Sequence, residues 1–199
     1  MKEDVLEQIV EDYLQRNGYF TQHNVRFRPS PKHPDYVQRN DSVHSDIDII
    51  GVNPRKRGPA RVLVISCKSW QSGFQAATRL KSLNENDPKL WKHHRELWVP
   101  KWAAAFRDKV EELTGSTSFS YRLAVTRLIG DPEPWINDAH IRQMLGGNPF
   151  KFLTLEEIWK RMLEGSETTL ATSEIGRLVQ LLKAAQLITD SELEGAYSE

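Results

Sequence analysis

The 199-residue chain contains a single cysteine, Cys67, which excludes an internal disulfide and a zinc site built on cysteines. It contains no run of about 18 apolar residues, so we expect no transmembrane helix. Its first residues lack the apolar segment of a secretory signal. With 39% hydrophobic and 27% charged residues, the composition is typical of a globular protein. We therefore expect a cytoplasmic protein with no membrane partner.

The formal net charge at pH 7 is zero, but the charged residues are unevenly distributed along the chain. Residues 1–130 carry 21 Lys and Arg against 15 Asp and Glu, whereas residues 131–199 carry 6 against 12. A basic excess of this kind indicates an anionic partner such as nucleic acid. We divide the chain at the same point, into a core over 1–130 and a mainly helical extension over 131–199 that packs on it. A single domain overall is the alternative.

Hydrophobic periodicity predicts the order of the elements. Apolar residues at helical spacing predict helices near 2–17, 74–83, 101–114, 137–145, 155–164 and 172–187. Alternating residues predict strands over 20–27 and 118–129, and residues 29–42 are predicted to form a loop rich in proline. Because a helix precedes the strand at 118–129, we expect this strand to return to the sheet beside the hairpin at 43–68.

Residues 43–68 predict a β-hairpin, because two apolar runs are joined by a basic turn that contains Pro and Gly. Strand side chains alternate between faces, so Asp46 and Asp48 are expected on one face, opposite the isoleucines that follow each of them. Ser66 and Lys68 likewise share a face. Two carboxylates and an ammonium group could then meet at one end of the hairpin. They would form either a catalytic site or a structural Asp48–Lys68 ion pair.

Other charged and aromatic residues extend this candidate site. Glu7 lies at the margin of the apolar stripe of the first helix, where it either joins the site or merely borders the core. The turn of the hairpin is strongly basic, and its place beside the carboxylates makes phosphate contact and simple solvation equally good interpretations. The candidate nucleic-acid-binding residues are those of this turn and of the exit from the second strand: Arg55, Lys56, Arg57, Arg61, Trp70 and Gln71.

Three short motifs, in this order and spacing, resemble those of the PD-(D/E)xK, or restriction-endonuclease-like, nuclease superfamily. Glu7, Leu14 and Gly18 match the first-helix Glu, Leu and terminal Gly of its small resolvase-like members. The run 46–50, Asp-Ile-Asp-Ile-Ile, matches the strand that carries the central acidic residue. The run 64–68, Val-Ile-Ser-Cys-Lys, matches the next strand, which ends in (Glu/Asp/Gln)-x-Lys. The resemblance covers roughly residues 3–130.

The resemblance implies an α/β fold with the order αβββαβ, in which a mixed central sheet is flanked by helices and followed by the C-terminal helical extension. It implies a metal-dependent nuclease whose catalytic residues are Lys68, Asp48 and Glu7. Mg²⁺ is the expected cofactor, and Mn²⁺ is expected to substitute for it. The implied ligands are Asp48 and Glu7, with Asp46 as an auxiliary ligand, Ser66 as a weak one, and the Cys67 backbone carbonyl.

Ser66 departs from the family pattern, because it replaces a carboxylate or amide with a neutral hydroxyl, a weaker ligand for a hard cation. The leading hypothesis is a DNA endonuclease of a restriction, defence, repair or mobile-element setting, and cleavage of both strands would call for a homodimer. The alternative is an inactive or weakly active nuclease-fold module that binds nucleic acid or a partner protein. No residue distinguishes DNA from RNA.

Overall fold

The computed structural model describes residues 4–85, 92–164 and 173–187. The predicted helix ends at residues 2–3 and 172, and the parts of the C-terminal extension at 165–172 and 188–199, lie outside these ranges. The described chain is an α/β structure in which helices flank a mixed five-stranded sheet. The predicted class is therefore confirmed. No helix within the described ranges has the length and apolar character needed to cross a bilayer.

The elements follow the predicted order closely. The strands are β1 (Phe20–Phe27), β2 (Ser45–Val52), β3 (Val62–Lys68), β4 (Phe74–Gln75), β5 (Ser120–Val125), β6 (Leu128–Ile129) and β7 (Phe150–Thr154). The helices are α1 (Val5–Arg16), α2 (Gln38–Asp41), α3 (Ala76–Asn84), α4 (Arg95–Trp98), α5 (Pro100–Thr114), α6 (Glu133–Ile136), α7 (Ala139–Met144), α8 (Leu155–Glu164) and α9 (Glu174–Ala184). A 3-10 turn over Gly58–Arg61 completes the connection between β2 and β3.

The main sheet has the order β1-β2-β3-β5-β7. Strands β1, β2 and β3 are antiparallel neighbours, whereas β5 runs parallel to β3 and β7 parallel to β5. The helices between β3 and β5 supply the crossover that a parallel pair requires. The prediction that the strand after α5 returns beside the hairpin is thus confirmed.

Local signals explain where the principal helices begin and end. The Asp4 carboxylate caps α1 by accepting the Leu6 backbone N–H at 2.9 Å. The helix ends before Gly18, which has a φ of +78° that glycine adopts without a Cβ clash. Pro100 opens α5, where its missing N–H costs nothing.

Two predicted elements are divided because a second, small sheet competes for their ends. Residues 128–129 leave the predicted 118–129 strand to form β6, which pairs in parallel with β4 at 74–75. The predicted helix over 74–83 consequently starts at Ala76. The strand β7 lies beyond residue 130 yet hydrogen-bonds to β5, so the sheet includes part of the segment that we assign to the extension.

Two apolar clusters cover the two faces of the main sheet. The first core cluster joins β1, β2 and β3 to α3, α4 and α5 through residues such as Val25, Ile47, Val64, Leu97 and Phe106. The second core cluster joins the opposite face to α1, α8 and α9 through residues such as Leu14, Ile49, Ile65, Ile158 and Val179. The end of β3 lies between the two core clusters, and the candidate site is located there.

Candidate active site

Asp48 lies against the end of β3. The Cys67 backbone N–H donates to Asp48 Oδ2 at 2.6 Å, and the Asp48 side chain is half-buried. A short charge-assisted hydrogen bond of this kind fixes the orientation of a carboxylate. A carboxylate has further lone pairs, so this bond leaves acceptor capacity for a ligand.

Lys68 and Ser66 lie on one face of β3, as predicted. Lys68 Nζ donates to Ser66 Oγ at 2.9 Å, and Ser66 is buried. The apolar residues of β3 agree with this alternation, because Val62 and Val64 belong to the first core cluster and Cys67 packs against the second. Among the described residues, the salt bridges do not include an Asp48–Lys68 pair. The structural ion pair that was the alternative to a catalytic site is therefore not formed.

The prediction that Ile47 and Ile49 share one face of β2, opposite Asp46 and Asp48, is wrong. Ile47 belongs to the first core cluster and Ile49 to the second, so these two isoleucines lie on opposite faces. The cause is Asn24 on the neighbouring strand, which has a φ of +50° and faces Asp48 at a gap in the register between β1 and β2. This left-handed residue shifts the alternation of both strands by one position.

The Asp46 carboxylate is engaged with β1. Its Oδ1 lies 3.9 Å from Arg26 Nε, in an exposed ion pair between residues that are opposite in the register. An exposed pair of this length contributes little stability. Asp46 thus has Arg26 as a cationic partner, while it also lines the small cavity that contains Ser66, and its auxiliary ligand role stays a prediction.

Glu7 lies in the first turn of α1. The start of α1 is tied to the end of β3, because the Ser69 hydroxyl donates to the capping carboxylate of Asp4. Burial raises the pKa of the Cys67 thiol, and the charges of Asp48 and Glu7 raise it further. Glu7 is half-buried and lies within electrostatic reach of the same point on β3 as Asp48.

The sequence did not identify Glu96 and Tyr121 as part of this region. Tyr121 Oη donates to Glu96 Oε1 at 2.5 Å, and both side chains are buried. The register pairs Tyr121 with Val64 on β3, and Glu96, Tyr121 and Ser66 line one small cavity. Burial raises the pKa of Glu96, whereas the Tyr121 hydroxyl and the charge of Lys68 oppose this rise. Position 66 itself carries no carboxylate, but the buried carboxylate of Glu96 on α4 lines the same small cavity as Ser66.

His94 is a second buried group that the sequence did not place here. It is fully buried, and neither ring nitrogen has a hydrogen-bond partner among the described residues. Its ring packs edge-on against Phe74, with centroids 6.1 Å apart, and against Trp135 at 5.7 Å. Burial lowers the pKa of His94 well below its ordinary value, and Lys68 lowers it further. His94 is therefore neutral beside the Lys68 ammonium group. The sequence did contain a signal for Glu96 and His94. Both come shortly before the large apolar residues Leu97 and Trp98, which are buried, so polar side chains at these positions are expected close to the core.

Within the described ranges, no three His, Cys, Asp or Glu residues are grouped so as to hold a metal ion. Mg²⁺ is commonly held by one or two carboxylates, with the remaining positions taken by water and substrate phosphates. Asp48, the Cys67 carbonyl and Glu7 match that smaller ligand set. The donor chemistry here fits a magnesium ion that is completed by substrate, and it does not fit a caged structural metal.

The expectation that the basic turn lies beside the carboxylates is wrong. In the hairpin register Val52 pairs with Val62, and Ile49 with Ile65. The turn between β2 and β3 is therefore at the end of the hairpin opposite to Ser66, roughly 13 Å away at about 3.3 Å per residue. Within the turn Arg55, Arg57 and Arg61 are exposed, and Lys56 contacts Tyr19.

Trp70 and Gln71 follow β3 at the other end, near Lys68. The Trp70 ring stacks on Phe74 with centroids 5.7 Å apart, and the Arg79 guanidinium lies 4.3 Å from the Trp70 ring centroid. Gln71 is exposed. The His93 ring also packs edge-on against Trp70, with centroids 6.2 Å apart. Because the Trp70 ring already contacts three groups of the protein, Gln71 is more accessible to a ligand than Trp70.

The comparisons with known proteins name no family. No family model matches the chain, and no curated protein matches it. Among solved structures, the chain is similar to the crystal structure of AF1548, a protein of unknown function, with a TM-score of 0.38 and 14% identity over 92% of this chain and 79% of that one.

Proposed function

We propose that this protein is a metal-dependent nuclease with a restriction-endonuclease-like core, and that it cleaves DNA. The observation that carries the proposal is the pair of hydrogen bonds at the end of β3, where Cys67 N–H holds Asp48 and Ser66 Oγ holds Lys68. A carboxylate and an ammonium group are thus fixed close together without neutralising each other in a direct ion pair.

The order of elements supports the same proposal. Helix α1 is followed by three antiparallel strands, and α5 leads into β5, which joins the sheet parallel to β3. This arrangement agrees with the αβββαβ order implied by the motif resemblance, and under the proposal Glu7 of α1, Asp48 of β2 and Lys68 of β3 act together at the end of β3.

Each residue has a distinct chemical part in phosphodiester hydrolysis. Mg²⁺ would be held by Asp48, the Cys67 carbonyl and Glu7, and when bound it neutralises charge on the phosphoryl group and activates water. Lys68, oriented by Ser66, places a positive charge where the phosphate gains negative charge and donates a hydrogen bond to orient the attacking water.

The test is a cleavage assay on plasmid and single-stranded DNA with Mg²⁺ or Mn²⁺. We expect Asp48→Ala and Lys68→Ala each to reduce the single-turnover rate about a hundredfold or more. Asp108→Ala and Lys81→Ala, at exposed positions on α5 and α3, are matched controls that should keep the wild-type rate. Activity that survives both substitutions at the site would refute the catalytic assignment.

A nuclease-fold module that binds without cleaving is the second candidate, and Ser66 is the observation that favours it. The hydroxyl is buried and already accepts the Lys68 ammonium group, so it offers little to a metal ion. Salt-sensitive DNA binding with no cleavage in either metal would support this candidate over the first. RNA as an additional substrate in the same assay distinguishes the two polymers.

A further inference from the structure

A basic pocket lies at the opposite end of the sheet from the candidate active site. It is lined by Lys56 of the hairpin turn, Arg122 of β5, Arg161 of α8, the tyrosines Tyr13 and Tyr19, and Glu157. Its volume is about 170 Å³. It is a cavity between α1, β3, β5 and α8, and it shares no side chain with the Asp48–Lys68 site.

The charges of this basic pocket are unbalanced. Three of its side chains are cationic and one, Glu157, is acidic. The Glu157 carboxylate accepts the Thr154 backbone N–H at 2.7 Å, and Thr154 Oγ1 accepts the Glu157 N–H at 3.2 Å. This reciprocal pair is a capping box that starts α8, so the Glu157 carboxylate is held at the start of the helix, and its single negative charge offsets only part of the charge of the three cations.

Arg122 is the informative cation. It is half-buried in the middle of the sheet, and the described residues provide its guanidinium with neither a hydrogen bond nor an ion pair. Burial lowers the pKa of the Arg122 guanidinium, while Tyr13, Tyr19 and Glu157 act in the opposite direction. Placing an unpaired guanidinium in a partly buried position is costly, and an anionic ligand in the pocket would offset that cost.

The tyrosines orient the remaining donors. Arg161 Nη1 donates to Tyr13 Oη at 3.0 Å, and Lys56 Nζ donates to Tyr19 Oη at 3.1 Å. Tyr19 Oη in turn donates to the Ala60 carbonyl at 2.8 Å. The Tyr13 hydroxyl proton has no acceptor among the described residues, so it adds a neutral donor to the three cations.

The size of the basic pocket restricts its ligand. Sites for whole small molecules typically measure about 300–1,000 Å³, and this cavity is smaller. A phosphate group needs less room, and its dianion matches a fork of guanidinium, ammonium and hydroxyl donors. We propose that the basic pocket formed by Lys56, Arg122, Arg161 and Tyr13 binds the terminal phosphate group of a phosphate monoester or inorganic phosphate.

The first test is isothermal titration calorimetry of the full chain with inorganic phosphate, in chloride buffer with a chelator of divalent ions. We expect saturable binding that Arg122→Gln weakens about tenfold or more, since a charge-assisted contact is lost. Lys81→Gln, at an exposed position of α3 outside the pocket, is the matched control and should bind as the wild type does. Absence of saturable binding, or unchanged binding by Arg122→Gln, would overturn the proposal.

Thermal melting keeps the test interpretable if a variant is less well folded. Without phosphate, Arg122→Gln should melt no lower than the wild type, because it removes an unpaired buried charge. With phosphate, the wild type should gain stability and Arg122→Gln should not. A variant that melts lower without phosphate and still gains stability with it would contradict a phosphate-binding role for Arg122.

Two further ligands identify the source of the phosphate group. If the source is a nucleic-acid end, a 5′-phosphorylated oligonucleotide should bind more tightly than its 5′-hydroxyl form, and Arg122→Gln should abolish the difference. If the source is a free metabolite, a nucleoside monophosphate should bind while the two oligonucleotides remain alike. Asp48→Ala should retain phosphate binding in either case, so failure of the nuclease proposal leaves this one intact and testable.

Discussion

Ser66 stands where the resembled motif has an acidic or amide side chain, and this departure is linked to the buried acid Glu96 elsewhere in the chain. Position 66 carries a neutral hydroxyl, and Glu96 lies across the same small cavity. A carboxylate at both positions would place two buried acids close together, and each would raise the pKa of the other. The serine therefore allows Lys68, Tyr121 and Glu96 to share this part of the core.

The pH dependence of stability tests the state of Glu96. Its pKa in the folded chain is raised above the ordinary value of 4.5, chiefly by burial. Its contribution to stability is then complete below that value and is lost as the pH rises through the folded pKa, by about 1.4 kcal/mol for each unit of difference. Glu96→Gln stays neutral and can still accept from Tyr121, so its free energy of unfolding relative to wild type should rise as the pH increases above about 4.5.

Urea denaturation at several pH values measures this difference, with the exposed Glu111→Gln as the matched control. The control should show no such rise. A Glu96→Gln curve parallel to that of the wild type would mean that Glu96 has the same pKa in the folded and unfolded chains.

The residues of the candidate site were predictable to different degrees. Ser66 and Lys68 share a face because β3 alternates regularly, and this followed from the sequence. The placement of Ile47 and Ile49 on opposite faces did not, because it depends on the backbone of Asn24 in another strand. Glu96 could not be joined to the site either, since its partner Tyr121 lies 25 residues further along the chain and only the packing of α4 against the sheet brings them together.

At the scale of elements, the pairing of β1 with β2 depends on one left-handed residue. Asn24 has a φ of +50°, a conformation that costs most residues about 1–2 kcal/mol and that Asn and Gly tolerate best. We expect Asn24→Val to lower the free energy of unfolding by about 1–2 kcal/mol. Asn24→Gly should leave it within about 1 kcal/mol of wild type.

Chemical denaturation of the two Asn24 variants provides the measurement. Gln22→Val, at an exposed position of the same strand, controls for the effect of a β-branched residue on an edge strand. If Asn24→Val were as stable as Gln22→Val, the left-handed residue would not be what fixes the shift in alternation.

The fold was more predictable than its details, for a physical reason. Strand β1, helix α5 and the return of β5 beside the hairpin follow from strong periodicity and from the handedness of crossovers. The split of residues 118–129 and the late start of α3 do not, because β4 and β6 hydrogen-bond to each other across more than 50 residues. Such short pairings leave no periodic signal in either segment.

At the scale of the whole molecule, the positive charges of the turn and the candidate active site occupy opposite ends of the hairpin. DNA that reaches both must follow the sheet over roughly 13 Å or more. We therefore expect Arg55→Ala combined with Arg57→Ala to weaken DNA binding and to flatten its dependence on salt by roughly 0.9 in slope for each lost phosphate contact. At saturating DNA the cleavage rate should stay near that of the wild type.

Binding isotherms over a range of salt concentrations measure this slope. Lys81→Ala combined with Arg142→Ala removes two exposed cations elsewhere on the surface and serves as the matched control. A slope equal to that of the wild type in the turn variant would remove the turn from the DNA interface.

The reactivity of Cys67 reports on local opening of the structure between the end of β3 and α1. It is the sole thiol of the chain, and burial together with Asp48 and Glu7 raises its pKa, so alkylating reagents meet very little thiolate in the closed state. Because Cys67 is also partly buried against the second core cluster, modification should be slow in the folded chain and faster when the end of β3 separates from α1. The alkylation rate would then follow that separation with no need for DNA, metal or catalytic turnover.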